Sequence, residues 1–153
     1  MAATPGKNKI EKGFVILVDD SGGTARNLCG DLVPGTITGG GVTLDEVDMT
    51  GVCNTVYNFL AGHGTSEISA TFHMNDTADT GAYTVLTGNN GGSGTITLQY
   101  GSLGTTPDSG DPEWEGEYVY FVGQVENDGG RFVIPVTFRP LSGASAPAWG
   151  TVA

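Results

Sequence analysis

The segment at residues 20–23 is the part of the sequence that most resembles a catalytic site. It reads Asp-Ser-Gly-Gly and echoes the nucleophile segment of serine proteases. That chemistry needs a histidine base beside the serine and a buried aspartate behind the histidine. Both histidines lie far downstream, and Ser93 lacks the G-x-S-x-G spacing of a nucleophile elbow. Because Asp, Ser and Gly favour turns, the segment predicts a hairpin turn and no catalytic residue.

Two groups of side chains could be imagined around a metal ion. They are the set His63, His73, Asp76 and Asp79, and the loop carboxylates Asp108, Asp111 and Glu113. The first set has no recognised zinc-ligand spacing. The second lacks the alternating carboxylate pattern of a calcium loop. The sequence therefore predicts no metal site, no cofactor and no enzymatic activity.

The charge of the chain limits its partners. The 153 residues carry a formal net charge of −11, with only six lysines and arginines. Such a chain should repel nucleic-acid phosphates and anionic membrane surfaces. Two cysteines, Cys29 and Cys53, are too few for a disulfide framework, although they could pair. With no evident signal peptide or membrane span, we expect folding in a cytosol.

Short apolar or alternating runs separated by Gly-rich turns dominate the chain, which contains 26 glycines. Examples are the runs at residues 14–18, 67–74, 95–100, 115–125 and 131–138. This pattern indicates about seven strands. It predicts a mainly β fold: an antiparallel β-sandwich or partly closed barrel with one flanking α-helix. We expect a flexible arm at residues 1–12, a single domain at 13–141 and a C-terminal tail at 142–153.

The flanking helix is expected within residues 43–62, after a strand that ends in an acidic turn. Four apolar side chains recur there at helical spacing, namely Val52, Val56, Tyr57 and Leu60. Cys53 lies beside them, and Gly62 can end the helix. A helix this short needs tertiary packing, so these residues are predicted to dock it on the sheet. Residues 82–86 could form one further helical turn.

The run at residues 115–125 is apolar on both faces, and Trp114 precedes it. Its aromatic residues could form a platform that stacks on sugars. The alternative is a core that continues into a subunit interface, because aromatic residues are enriched in both. The sequence favours the second interpretation, with the interface at Trp114, Tyr118, Tyr120 and Val122.

The order of the segments resembles a known family. A strand at residues 14–18 leads into D-D-S-G-G-T-A-R-N-L at 19–28, followed by L-D-E-V-D-M-T-G at 44–51. Then come the expected helix, which ends F-L-A-G at 59–62, and a strand at 66–72. This order resembles the tail tube (major tail) proteins of long-tailed bacteriophages. The second half fits in strand pattern only, and the Gly-rich loop at 87–94 is a departure.

The resemblance implies a structural virion protein of the phage tail. It implies a β-sandwich with a flanking helix, and subunits that assemble in the host cytoplasm as hexameric rings. The rings would stack into a tube that ends on other tail proteins and passes viral DNA without specific binding. The acidic composition agrees with such a conduit. Two alternatives stay open: a capsid decoration or tail terminator protein, and a carbohydrate-binding β-sandwich module.

Overall fold

The computed structural model describes residues 13–102 and 105–153, so the expected arm at residues 1–12 lies outside the described residues. The strands of this part are β1 Phe14–Asp19, β2 Ala25–Asn27, β3 Thr43–Asp48, β4 Phe59–Thr65, β5 Ile68–His73, β6 Ser93–Tyr100, β7 Pro112–Val122, β8 Glu126–Asp128, β9 Arg131–Pro140 and β10 Ala148–Thr151. One α-helix, α1 Ala82–Gly88, lies between β5 and β6.

Eight strands form one antiparallel sheet, called here the main sheet. Its order is β2-β1-β6-β7-β9-β5, with β10 paired to β7 and β8 paired to β9. The long strand β7 pairs with β6 on one side, and with β10 and then β9 on the other. The described part contains no closed barrel. The predicted class is confirmed: a mainly β, sandwich-like antiparallel fold with one helix.

Alternation along the strands builds the core. In β1 and β5 every second residue is buried, as the sequence pattern requires of strands with one covered face. The fully buried side chains include Ile16, Phe72, Leu98 and Phe138. They interlock on one face of the main sheet, and α1 contributes Ala82, Val85 and Leu86 to the same cluster.

The serine-containing segment is a turn between β1 and β2. The carboxylate of Asp20 accepts hydrogen bonds from the backbone N–H groups of Gly22 and Thr24, both at 2.9 Å. It also accepts one from the Arg26 guanidinium, at 2.9 Å. The bond from Thr24 and then that from Arg26 lower the pKa of the Asp20 carboxyl. The Asp20 carboxylate therefore stabilises the turn that the sequence predicted.

Helix α1 begins where a side chain from a distant part of the chain can accept a hydrogen bond from its first backbone N–H group. The carboxylate of Asp31 accepts a hydrogen bond from the backbone N–H of Ala82, at 3.0 Å, and further bonds from the Asn75 amide. A helix start leaves such N–H groups without a partner inside the helix. The buried positions of α1 then follow helical spacing. The helical turn expected at residues 82–86 is confirmed, and it is the flanking helix of the fold.

The helix expected within residues 43–62 is wrong. Residues 43–48 and 59–65 form the antiparallel pair β3–β4, a separate two-stranded sheet. Residues 49–58 join the two strands, and mutual hydrogen bonds between Thr50 and Asn58 close this loop. Glycine, asparagine, threonine and valine are weak helix formers, so the apolar spacing alone could not stabilise a helix there. Cys53, expected on its buried face, is exposed.

Candidate assembly surface

The aromatic residues expected at a subunit interface are buried in the core. Trp114 is 1% exposed, and Tyr118 and Tyr120 are 0% exposed. The indole N–H of Trp114 donates to the Tyr118 hydroxyl at 2.8 Å, which donates to the Ser66 carbonyl at 3.0 Å. The Tyr120 hydroxyl donates to the Asp19 carbonyl at 2.8 Å. Burial, and to a lesser extent the Asp19 charge, raises the pKa of Tyr120.

This arrangement corrects the predicted interface. Trp114, Tyr118 and Tyr120 cannot meet another molecule while the sheet is intact, and Val122 is half-buried against the same core. The burial also removes the stacking platform on which the carbohydrate-binding interpretation depended. Apolar content on both faces of a strand indicated an interface, but here one face is covered by the protein itself.

The exposed apolar surface lies instead on β3, β4 and the loop between them, residues 43–65, called here the exposed hairpin. Every residue of β3 is exposed, and so is every residue of β4 except Gly62. Eight large apolar side chains project from it, each 40% exposed or more: Leu44, Val47, Met49, Val52, Val56, Tyr57, Phe59 and Leu60. The four residues predicted to dock a helix are among them, so that prediction is also wrong.

Both faces of the exposed hairpin carry apolar side chains. Val47 lies opposite Leu60, and Asp48 opposite Phe59, on adjacent rungs. Side chains of neighbouring residues in a strand point to opposite faces, so Leu60 and Phe59 lie on different sides. Between the pairs Leu44–Gly64 and Glu46–Ala61 the register slips by one residue, which is a β-bulge. Each face of the hairpin therefore exposes at least one large apolar side chain to solvent.

The approach to the exposed hairpin runs over aromatic rings of the main sheet. Gly40 has a φ of +86°, and a Cβ there would meet the Tyr100 hydroxyl. Tyr100 packs against Trp149 of β10 in a tilted arrangement, with ring centroids 5.7 Å apart, and Trp149 packs edge-on against Trp114 at 5.1 Å. Glycine is required at position 40 because a side chain would meet Tyr100, and because other residues rarely adopt this positive φ. The backbone just before the hairpin therefore lies against Tyr100 and Trp149.

A polar stripe runs along the opposite face of β6 and β7, called here the acidic stripe. Three cross-strand pairs compose it: Thr95–Glu117, Thr97–Glu115 and Gln99–Glu113. In each pair the β6 side chain donates a hydrogen bond to the β7 carboxylate, at 3.1 Å from Thr97 and 2.8 Å from Gln99. The carboxylates lie at every second residue of one strand, so they share a face. Such a face repels polyanions.

The side chains considered as metal ligands do not converge. His63 lies on β4 and His73 on β5, in different sheets. The Asp111 carboxylate accepts a hydrogen bond from the Asp108 N–H at 3.0 Å, and Glu113 belongs to the acidic stripe. Within residues 13–102 and 105–153, no three His, Cys, Asp or Glu side chains are placed to hold one ion. In the same part of the chain, no helix is long and apolar enough to cross a membrane.

Comparison with known proteins identifies a similar fold. No model of a protein family matches this chain, and no curated protein matches it in sequence. The fold is similar to that of a chain in the cryo-EM structure of the PVC sheath–tube complex, in its extended state, from an extracellular contractile injection system. The match covers 93% of this chain and 90% of that chain, with a TM-score of 0.51 and 14% sequence identity. At this identity the similarity concerns the fold alone.

Proposed function

We propose that this protein is a structural subunit of a phage tail or tail-like particle, and that it polymerises as stacked rings to form the tail tube. The exposed hairpin is the observation that carries the proposal. An isolated two-stranded hairpin is marginal in water, and this one exposes eight large apolar side chains. Monomeric soluble proteins rarely leave apolar patches of that extent uncovered. In the proposed particle the hairpin is covered by a neighbouring subunit.

The similar fold supports a tail-related role. The neighbour comes from a sheath–tube complex of an injection system, and the similarity extends over almost the whole of both chains. The order of segments that resembles tail tube proteins points the same way. Six subunits in each ring, assembly in the host cytoplasm, and other tail proteins at the tube ends are parts of the proposal. They come from that resemblance.

The conduit role of the tube rests on charge. The acidic stripe presents Glu113, Glu115 and Glu117 on one face of the main sheet, each held by a neighbouring hydroxyl or amide. A wall of fixed carboxylates would let DNA pass without binding, since affinity for DNA comes largely from cationic contacts to its phosphates. The proposed subunit needs no cofactor, metal or catalytic residue for this work.

Electron microscopy of negatively stained protein, with light scattering at rising concentration, tests the proposal. We expect rings or tubes. Because the chain is strongly acidic, added salt should promote assembly by screening repulsion between subunits. Single closed rings that never stack would favour the tail terminator alternative instead. A protein that stays monomeric at every concentration, with salt and with tail partners, would contradict the proposal.

A further inference from the structure

A second exposed apolar surface lies at the far end of the main sheet, called here the distal patch. Four side chains compose it: Met74, Tyr83, Val125 and Phe132, each 36% to 61% exposed. The Met74 N–H donates to the Phe132 carbonyl at 3.0 Å, and the Tyr83 N–H donates to the Asn75 carbonyl at 3.0 Å. Val125 directly precedes β8, whose Glu126 pairs with Val133. The four residues therefore occupy adjacent positions.

The distal patch and the exposed hairpin lie at opposite ends of β5. The hairpin ends at Thr65, two residues before Glu67 leads into β5, whereas Met74 directly follows the last residue of β5. A strand rises about 3.3 Å per residue, so the two ends of β5 are roughly 20 Å apart. Both surfaces are exposed in the same chain, so neither covers the other.

The size of the hairpin decides how much of it must be covered. Its paired part is about 20 Å long and about 10 Å wide, which gives roughly 200 Å² for each face. A specific interface buries about 800 Å² on each partner. One face of the hairpin is too small for this, but both faces together with the loop side chains of Val52, Val56 and Tyr57 approach it. The whole hairpin must therefore enter the contact.

We infer that the exposed hairpin of one copy docks on the distal patch of a second copy, in a head-to-tail contact. When two different surfaces of one molecule meet between copies, they produce a heterologous interface, which closes into rings or continues as a filament. Each copy then gives one hairpin and receives one. This inference rests on the proposed assembly, and it adds the acceptor surface and the polarity of the contact.

Other exposed apolar residues fit the role of acceptor less well. Phe121 stands on the face of β7 opposite to the core, covered in part by the Arg139 guanidinium at 5.8 Å from its ring centroid. Trp149 packs on Trp114 and Tyr100 near the base of the hairpin, on the donor side of the molecule. The distal patch is the cluster that lies away from the hairpin.

Two single variants separate head-to-tail docking from other modes. Leu60→Lys charges the hairpin, and Phe132→Lys charges the distal patch. Both side chains are exposed in the monomer, so both variants should fold. Phe121→Lys is the matched control, since it charges an exposed phenylalanine outside the patch. We expect Leu60→Lys and Phe132→Lys to stay monomeric alone, while the control assembles like the parent.

Mixing the two defective variants gives the decisive result. The Phe132→Lys chain keeps an intact hairpin, and the Leu60→Lys chain keeps an intact patch. Native mass spectrometry of the mixture should therefore show a 1:1 dimer that grows no further. If Phe132→Lys assembles as the parent does, or if the mixture stays monomeric, the inferred acceptor is wrong although the parent assembles. A parent that never assembles overturns the proposed function as well.

Discussion

Strand β5 and the exposed hairpin both contain large apolar side chains, but those of β5 are buried and those of the hairpin are exposed. In β5 the apolar side chains Ile68, Ala70 and Phe72 are at most 3% exposed, because the core and α1 cover them. In β4 the neighbouring residues Phe59 and Leu60 are 60% and 58% exposed. Hydrophobic burial stabilises folding only where a partner surface exists within the chain. Strand β5 therefore serves the fold, whereas the hairpin is available to a partner.

The largest expected difference is between two phenylalanines. Phe72→Ala removes a ring that is 0% exposed, so it should lower the free energy of unfolding by about 3–5 kcal/mol. For a domain of this size that corresponds to roughly 10 °C in melting temperature. Phe59→Ala is the matched control and should change the free energy of unfolding by less than about 0.5 kcal/mol. Thermal and urea unfolding of the two variants measure the difference.

Equal losses in the two phenylalanine variants would mean that the hairpin is part of the folding core. A small loss of unfolding free energy for Phe72→Ala would contradict the burial of this side chain in the core.

The second prediction separates folding from assembly. Leu60→Asp places a carboxylate at a position that is already open to water, so the monomer should melt within about 0.5 kcal/mol of the parent. If Leu60 docked a helix on the sheet, as the sequence suggested, this change would abolish folding, and the exposed position reverses that expectation. Assembly measured by light scattering should be lost. Leu98→Asp, at a position that is 0% exposed, is the control and should prevent folding.

The third and smallest effect concerns the cap of α1. Asp31→Ala removes the acceptor for the Ala82 N–H and for the Asn75 amide, and should cost about 1–2 kcal/mol of unfolding free energy. Asp45→Ala, on the exposed hairpin, should cost less than about 0.5 kcal/mol. Urea denaturation measures both. If the two losses are alike, α1 is not held by its cap.

Local patterns in the sequence predict the parts of this fold that depend on neighbouring residues. The strict alternation through β5 has one interpretation, since only a strand with one covered face gives it. The turn at residues 20–23 is equally local, because Asp20 bonds the backbone two and four residues on. The mainly β class followed from many such segments.

The predictions that failed concern segments whose structure depends on contacts between residues distant in sequence. Val52, Val56, Tyr57 and Leu60 have helical spacing, but β3 finds β4 across a ten-residue loop, and pairing overrides the weak local preference. The true helix is short, and its cap Asp31 is 51 residues away from Ala82 in sequence, which no local pattern reveals. For Trp114 and Tyr118, a buried core and an interface need the same residue types, so composition could not separate them.

Hydrogen exchange of residues 43–65, measured in the free subunit and in assembled material, tests the central claim most directly. In the free subunit the amides of β3 and β4 should exchange far faster than those of β5, because an exposed two-stranded sheet opens at little free-energy cost. In assembled material the same amides should become protected, while those of β5 change little. Protection of the hairpin in the free subunit, or no gain of protection on assembly, would contradict its role as the assembly surface.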